Sequence, residues 1–90
     1  MERTQRGKPE RRIVVPDLGL GDAPLSVSLW LAKRGARLRA GDPVVEVLCG
    51  PATIDLPAPC DGVLAEKLAA EGEPVRAGMV VAMIRPRECP

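Results

Sequence analysis

Aromatic side chains and histidine are almost absent from this 90-residue chain, in which Trp30 is the one aromatic residue and no His, Phe or Tyr occurs. Without histidine the chain lacks the usual general base and the commonest metal ligand, so hydrolytic and zinc chemistry are not expected. The core has to be built from Val, Leu, Ile and Ala. That composition predicts thin, tightly layered sheets in one domain, since ninety residues are too few for two.

Long hydrophobic runs and closely spaced cysteines are also missing. The longest apolar runs are far shorter than the roughly 18 to 20 residues of a membrane span, and the polar N-terminus has no apolar region typical of a signal peptide. Cys49, Cys60 and Cys89 are 11 and 29 residues apart, so no CxxC pair marks a zinc knuckle or a dithiol redox site. These features predict a cytoplasmic protein with free thiols, no metal site and no membrane contact.

The net charge is only +1, but basic residues concentrate at the N-terminus. Residues 1–12 hold five basic and two acidic side chains. Basic arms of this kind contact nucleic acids or membranes in some proteins, but this one has no apolar periodicity and no aromatic side chain to stack on a base. Its composition instead predicts a disordered, solvated tail over residues 1–12 and no nucleic-acid partner.

Short apolar runs alternate with Gly, Pro and Asp from Ile13 onward. Leu25, Val27, Leu29 and Leu31 alternate with serine and tryptophan, which predicts a strand with these four side chains on its inner face. Further strands are predicted over 13–15, 44–48, 52–56, 63–69 and 79–84, with turn signals between them. Strands at this spacing favour a sandwich or barrel. A helix over 64–71 is the alternative on propensity, but that segment is short, uncapped and bounded by turn signals, so a strand is favoured.

An internal repeat adds approximate symmetry to this pattern. Residues 27–47 align without gaps on residues 64–84, at an offset of 37. The identical pairs are Leu31/Leu68, Ala32/Ala69, Gly35/Gly72, Arg39/Arg76, Ala40/Ala77, Gly41/Gly78 and Val44/Val81. Glycines at matched positions indicate matched turns that need a positive φ or a close approach. Two strand-turn-strand copies, each with one apolar face, predict a flattened barrel or sandwich with approximate two-fold symmetry.

Several segments resemble the lipoyl domains of 2-oxo acid dehydrogenase complexes and the related biotinyl carrier domains. They are PDLGLG at 16–21 (PDLGEG in the family), WL to Gly at 30–35 (WLVKEGD), AGDPVVEV at 40–47 (AGDPLVEV), PAPCDGV at 57–63 (PAPADGVV), and residues 71–84 (EGDTVPVGQVLAVI). The resemblance covers about residues 13–85 without insertions, which leaves residues 86–90 as a tail or the start of a linker. It implies an all-β fold, a flattened barrel of two four-stranded antiparallel sheets related by a quasi-two-fold axis.

The resemblance also implies where a cofactor would be attached. In that family, lipoate is joined by an amide bond to a lysine at the tip of a tight hairpin, and the swinging arm carries acyl groups and electrons between active sites. That tip aligns with Cys49, Gly50, Pro51 and Ala52, so Pro51 stands in place of the modified lysine. Proline has no nucleophilic side chain, so amide attachment at this position is chemically impossible. The resemblance therefore predicts a domain that carries neither lipoate nor biotin.

The other lysines are not expected to replace the missing one. Lys8 lies in the predicted tail, and Lys33 and Lys67 are predicted to lie in mid-strand. The tip itself is also altered, because proline is disfavoured at the third position of a type I turn. A Gly50-Pro51 tip is therefore predicted to need a shifted turn or a cis peptide bond. It is either a stiff hairpin cap or a tip remodelled to bind a partner.

Four residues near this tip are candidates for partner contact: Leu18, Leu20, Leu48 and Pro51. Leu20 replaces an acidic residue in the loop after the first strand, a loop that in the family lies beside the lysine hairpin and is recognised by partner enzymes. Cys49 has a thiol that is chemically able to hold a thioester or a mixed disulfide, but no charged neighbour activates it. An inert Cys49 and a Trp30 that serves in packing are expected.

These observations favour a non-catalytic binding or docking module that engages protein partners, among them components of a 2-oxo acid dehydrogenase complex. Two alternatives stay open at this point: a carrier whose arm is attached to another residue such as Cys49, and a structural barrel within a longer polypeptide. Catalysis by the domain alone is not expected, because the sequence contains no nucleophile-base pair and no metal cluster.

Overall fold

The computed structural model describes residues 10–19, 21 and 23–87, which contain eight β-strands and no helix. The strands are β1 (Arg11–Val14), β2 (Leu25–Trp30), β3 (Arg37–Leu38), β4 (Pro43–Cys49), β5 (Ala52–Pro57), β6 (Gly62–Lys67), β7 (Pro74–Val75) and β8 (Val80–Pro86). They form two four-stranded antiparallel sheets, with strand orders β1-β8-β6-β3 and β5-β4-β2-β7. The all-β prediction is confirmed, and β6 occupies the segment for which a helix was the alternative.

The predicted two-fold symmetry is visible in the hydrogen bonds. Under the offset of 37, β2, β3 and β4 correspond to β6, β7 and β8, and the two sheet orders match when β1 corresponds to β5. Gly35 N donates to Leu64 O and Gly72 N donates to Val27 O, each at 2.7 Å. The offset of 37 converts the first bond into the second, because Gly35 corresponds to Gly72 and Val27 corresponds to Leu64. The repeat therefore describes two copies that hold each other across a quasi-dyad.

Matched glycines form matched turns, as predicted. Left-handed φ values occur at Gly35 (89°), Gly41 (92°), Gly72 (88°) and Gly78 (88°). Each is the third residue of a four-residue turn, as in the turn closed by Asp42 N donating to Arg39 O at 2.9 Å. A positive φ at this position is the mark of a type II turn, which requires glycine or asparagine there.

The prediction that Leu29 and Leu31 face inward is wrong, since they are 46% and 41% exposed. Along β2 and β4, the pair Val27–Val47 is followed by Leu29–Glu46, so Ser28 is an extra residue in a β-bulge. A bulge reverses the alternation of faces beyond it. The same shift occurs in β6 between residues 64 and 66, which is the bulge of the second copy.

The core between the sheets is aliphatic. Its buried members are Ile13, Val15, Leu25, Val27, Leu38, Val44, Val45, Val47, Leu56, Ala58, Leu64, Ala69, Val75, Val81, Ala82 and Ile84. Trp30 packs against this cluster, and its Nε1 donates to Ala69 O at 2.9 Å. The Nζ of Lys67 lies 5.1 Å from the centre of the indole ring. The single aromatic ring therefore has the packing role expected of it.

The ends of the described chain lie side by side, because β1 pairs with β8. Arg11 and Arg12, which the sequence placed in the tail, belong to β1. Pro86, which the sequence placed after the domain, is the last residue of β8. Of the rest of the predicted tail, Glu10 is described and exposed, and residues 1–9, like residues 88–90, lie outside the described residues.

Candidate functional site

The tip of the β4–β5 hairpin is a two-residue loop. Cys49 pairs with Ala52, so Gly50 and Pro51 alone connect the two strands. Gly50 has φ 60°, and no cis peptide bond occurs among the described residues. A positive φ followed by the negative φ that the proline ring imposes is the sign pattern of a type II′ turn, in which glycine takes the first central position.

The prediction of a shifted turn or a cis bond is therefore wrong. It rested on the restriction that proline meets in a type I turn, and that restriction does not apply when the residue before it has a positive φ. A Cβ added at Gly50 would meet no atom within 4 Å, so the dihedral angle, rather than space, is what calls for glycine. Gly50 and Pro51 together make a short, stiff tip whose direction the β4–β5 ladder fixes.

The side chains around the tip are apolar and small. Pro51 and Ala52 are exposed, and Leu48 is 40% exposed. Leu48 lies in a row across the outer face of its sheet, where it pairs with Ser26 of β2 and Thr53 of β5. The surface next to the tip is therefore uncharged.

Cys49 faces the barrel and not the solvent. Its side chain is half-buried, packs against the core, and has its Sγ 3.9 Å from Val47 O. Cys49 and Cys60 are both free thiols. They lie beyond opposite ends of β5, one before its first residue and the other after its last.

Neither lysine of the described chain is at the tip, but the positions predicted for them are wrong. Lys33 lies in the connection between β2 and β3, where its carbonyl accepts a hydrogen bond from Ala36 N at 2.9 Å. Lys67 is the last residue of β6 and covers the indole ring of Trp30. Strands β2 and β6 end at Trp30 and Lys67, before the turns that contain Gly35 and Gly72, and the apolar pattern did not reveal these ends.

The loop before β2 reaches the same end of the barrel as the tip. Leu25, the first residue of β2, pairs with Cys49 on one side and with Val75 on the other. Leu18 in this loop is half-buried and packs against the core, beside a groove of about 260 Å³ that is also lined by Arg76. Leu18 is therefore less available to a partner than predicted.

The four predicted contact residues divide in this way. Leu48 and Pro51 are exposed together on the hairpin, Leu18 packs inward, and Leu20 lies outside the described residues. Pro74 of β7 was not predicted, although it lies beside Ser26 in the row that contains Leu48. A strand of two residues has no periodicity from which a sequence pattern could reveal it.

The outer face becomes acidic further from the tip. Glu46 pairs with Asp55 of β5 and Leu29 of β2, in the next row of the outer face away from the tip after the row of Leu48. No group of three or more His, Cys, Asp or Glu side chains suited to a metal ion occurs in the part of the chain that the structure describes. In the same part, no helix has the length and apolar character needed to cross a membrane.

Comparison with known proteins adds three findings. A model of the biotin/lipoyl family, described as "biotin-requiring enzyme", matches residues 11–84. Over 63 residues the chain is 40% identical to the dihydrolipoyllysine-residue succinyltransferase component of the 2-oxoglutarate dehydrogenase complex of Haemophilus influenzae. That match covers 70% of this chain and only 15% of the relative, so the chain corresponds to a small part of it.

Solved structures share the fold. The lipoyl domain of the 2-oxoglutarate dehydrogenase complex from Azotobacter vinelandii superimposes with a TM-score of 0.64 at 23% identity, covering 80% of this chain and 94% of that domain. Part of a single-chain, multi-domain long-chain acyl-CoA carboxylase gives a TM-score of 0.71 at 19% identity, covering 89% of this chain and 7% of the carboxylase. These structures confirm the fold, and the family model and the Haemophilus relative confirm the resemblance that the sequence motifs indicated. Because the family model spans most of the chain and the barrel has the same architecture, this chain belongs to the biotinyl/lipoyl domain family.

Proposed function

We propose that this chain is a binding or docking module of a 2-oxo acid dehydrogenase-type assembly and carries no lipoyl or biotinyl arm. The observation that carries the proposal is the tip of the β4–β5 hairpin, where Gly50 and Pro51 present a proline ring and no amine. An amide-linked cofactor needs a free amine on an exposed turn. The side chains of Lys33 and Lys67 belong to other parts of the barrel.

The tip suits protein contact better than attachment chemistry. Proline has a fixed φ and little conformational freedom to lose when a partner binds. With Leu48 it offers a small apolar surface on a rigid ladder. In this proposal the domain itself catalyses nothing and works in the reducing cytoplasm, and its partners are components of the kind of complex to which the Haemophilus relative belongs.

The decisive measurement is the intact mass of the protein after co-expression with lipoate and biotin ligases and both cofactors. We expect the unmodified mass for the wild-type chain. An added lipoyl or biotinyl mass would overturn the proposal. The same measurement on the variant Cys49→Ala would then show whether the half-buried thiol had carried the added group.

The positive control is the double variant Gly50→Asp with Pro51→Lys. Aspartate tolerates a positive φ better than most residues, so the two-residue tip is retained and now presents an amine. We expect the ligase to add one lipoyl group to this variant. If it folds, by its thermal unfolding transition, and stays unmodified, the assignment of Pro51 to the attachment position is wrong.

A further inference from the structure

Four exposed arginines lie at the end of the barrel opposite the hairpin tip: Arg37, Arg39, Arg85 and Arg87. We refer to them as the arginine patch. Arg37 and Arg85 are the two cross-strand partners of Val63 in β6. Directly opposed residues share a face, so Arg37 and Arg85 are on the same outer face of this sheet as Val63. The half-buried valine lies between the two arginines.

The arginine patch continues around the end of the sheet. Arg37, Arg39 and Arg87 line a groove of about 290 Å³ together with Leu38 and Asp42. Strands β3 and β8 are separated by β6, so their backbones are about 10 Å apart. Arg37 on β3 and Arg85 on β8 therefore lie on the two sides of this gap, with the half-buried Val63 between them.

Two carboxylates beside the arginine patch accept hydrogen bonds from the backbone. Asp42 accepts a hydrogen bond from Arg39 N, and Asp61 accepts one from Ala40 N, both at 2.8 Å. Arg87 N in turn donates to the carbonyl of Asp61 at 3.0 Å. These bonds hold the backbone under the arginines but leave both carboxylates charged. Glu10 precedes Arg11, which pairs with Ile84, so a third carboxylate lies at this end of β8. The four guanidinium groups therefore exceed the three carboxylates by one positive charge.

We propose that the arginine patch binds an acidic segment of a protein partner, with carboxylates on the guanidinium groups and an apolar side chain over Val63. Guanidinium groups match carboxylates in bidentate geometry. A nucleic acid would gain little here, because base stacking needs an exposed aromatic ring and the indole of Trp30 is covered by Lys67. The inference concerns the end of the barrel that the proposed function does not use.

The quasi-dyad supplies a natural control. The counterparts of Arg37, Arg39, Arg85 and Arg87 are Pro74, Arg76, Leu48 and Gly50. Arg39 and Arg76 therefore occupy the same place in matched turns at opposite ends of the barrel. Among the described residues, other arginines line the groove beside Arg39 but not the groove beside Arg76.

Fluorescence anisotropy with two blocked, labelled peptides tests the proposal on the full chain. The acidic probe is DEEVEED and its neutral counterpart is NQQVQQN. We expect the acidic peptide to bind and the neutral one not to, with affinity that falls as salt is added. The double variant Arg39→Gln with Arg85→Gln weakens binding about fivefold, from roughly 0.5 kcal/mol for each exposed ion pair.

The matched double variant Arg34→Gln with Arg76→Gln also removes two exposed positive charges, both outside the arginine patch, and leaves the affinity unchanged. A cooperative thermal unfolding transition shows that each variant is folded. If Arg39→Gln does not fold, Arg37→Gln replaces it in the patch double variant. The proposal is wrong if both double variants weaken binding equally or if the neutral peptide binds as well. It is also wrong if inorganic phosphate or a single-stranded oligothymidylate, at equal concentration, displaces the acidic peptide.

Discussion

The two ends of this barrel have the same backbone frame and opposite surface chemistry. At one end, Leu48 and Gly50 belong to an uncharged hairpin; at the other, Arg85 and Arg87 occupy the equivalent positions. The turns, the bulges and the hydrogen bonds across the quasi-dyad are retained in both copies. The difference indicates that folding constrains the buried and turn positions, while the outward positions are free to acquire separate binding roles.

The largest expected effect is at Gly62, where the packing of the two copies differs. Its counterpart is the buried Leu25, yet a Cβ at Gly62 would collide with the carbonyl oxygen of Arg85. We expect Gly62→Ala to lower the free energy of unfolding by about 3 kcal/mol, since a backbone atom cannot yield as a side chain does. Urea denaturation measures this. In Gly35→Ala nothing lies within 4 Å of the new Cβ, so the smaller loss expected there comes only from the strain of alanine at a φ of 89°. A loss below about 1 kcal/mol would mean that β6 and β8 separate easily.

Leu48 tests whether the uncharged end has a binding role of its own. Leu48→Arg introduces at the tip end the arginine that its counterpart, Arg85, has at the other end. We expect the fold to be retained, because the side chain of Leu48 is on the outer face. We expect it to weaken binding to purified components of a 2-oxoglutarate dehydrogenase complex about tenfold, measured by biolayer interferometry, which corresponds to about 1.4 kcal/mol. Leu31→Arg is the matched control, because Leu31 is 41% exposed and Leu48 is 40% exposed. Equal losses for the two variants would exclude the tip as the contact surface.

The smallest expected effect concerns the one aromatic ring. Lys67 lies over Trp30, its own counterpart in the repeat, and an exposed contact of this kind contributes about 0.5 to 1 kcal/mol. We expect Lys67→Ala to lower the free energy of unfolding by that amount and Lys33→Ala to change it by less. Chemical denaturation of both variants measures the difference. If they are equal, the cation–π contact adds nothing to the link between the two copies.

The repeat made most of the fold predictable. Periodicity located the longer strands, and the glycines at matched positions were enough to predict the matched turns. The two-residue strands β3 and β7 had no such signal, because two residues cannot show a period. The inward prediction for Leu29 and Leu31 failed because one extra residue in a strand reverses the faces that follow, and a bulge has no mark in the apolar pattern.

The site was predicted in position and not in conformation. The family motifs placed Cys49, Gly50, Pro51 and Ala52 at the tip, and they are there. The turn type depends on the sign of φ at Gly50, which the sequence pattern did not reveal. The arginine patch was not predicted at all, because its members come together only when β3 and β8 lie on either side of β6.

The pairing of β1 with β8 has a consequence for the way the chain is threaded. These two strands lie together just as β4 and β5 do, except that a two-residue turn joins the second pair. A chain cut between Gly50 and Pro51, with a short turn joining the end of β8 to the start of β1, would retain every ladder of the barrel. In such a circular permutant the two copies would exchange places in the sequence. The fold can thus accommodate the chain termini at either of two equivalent places, between β8 and β1 or between β4 and β5.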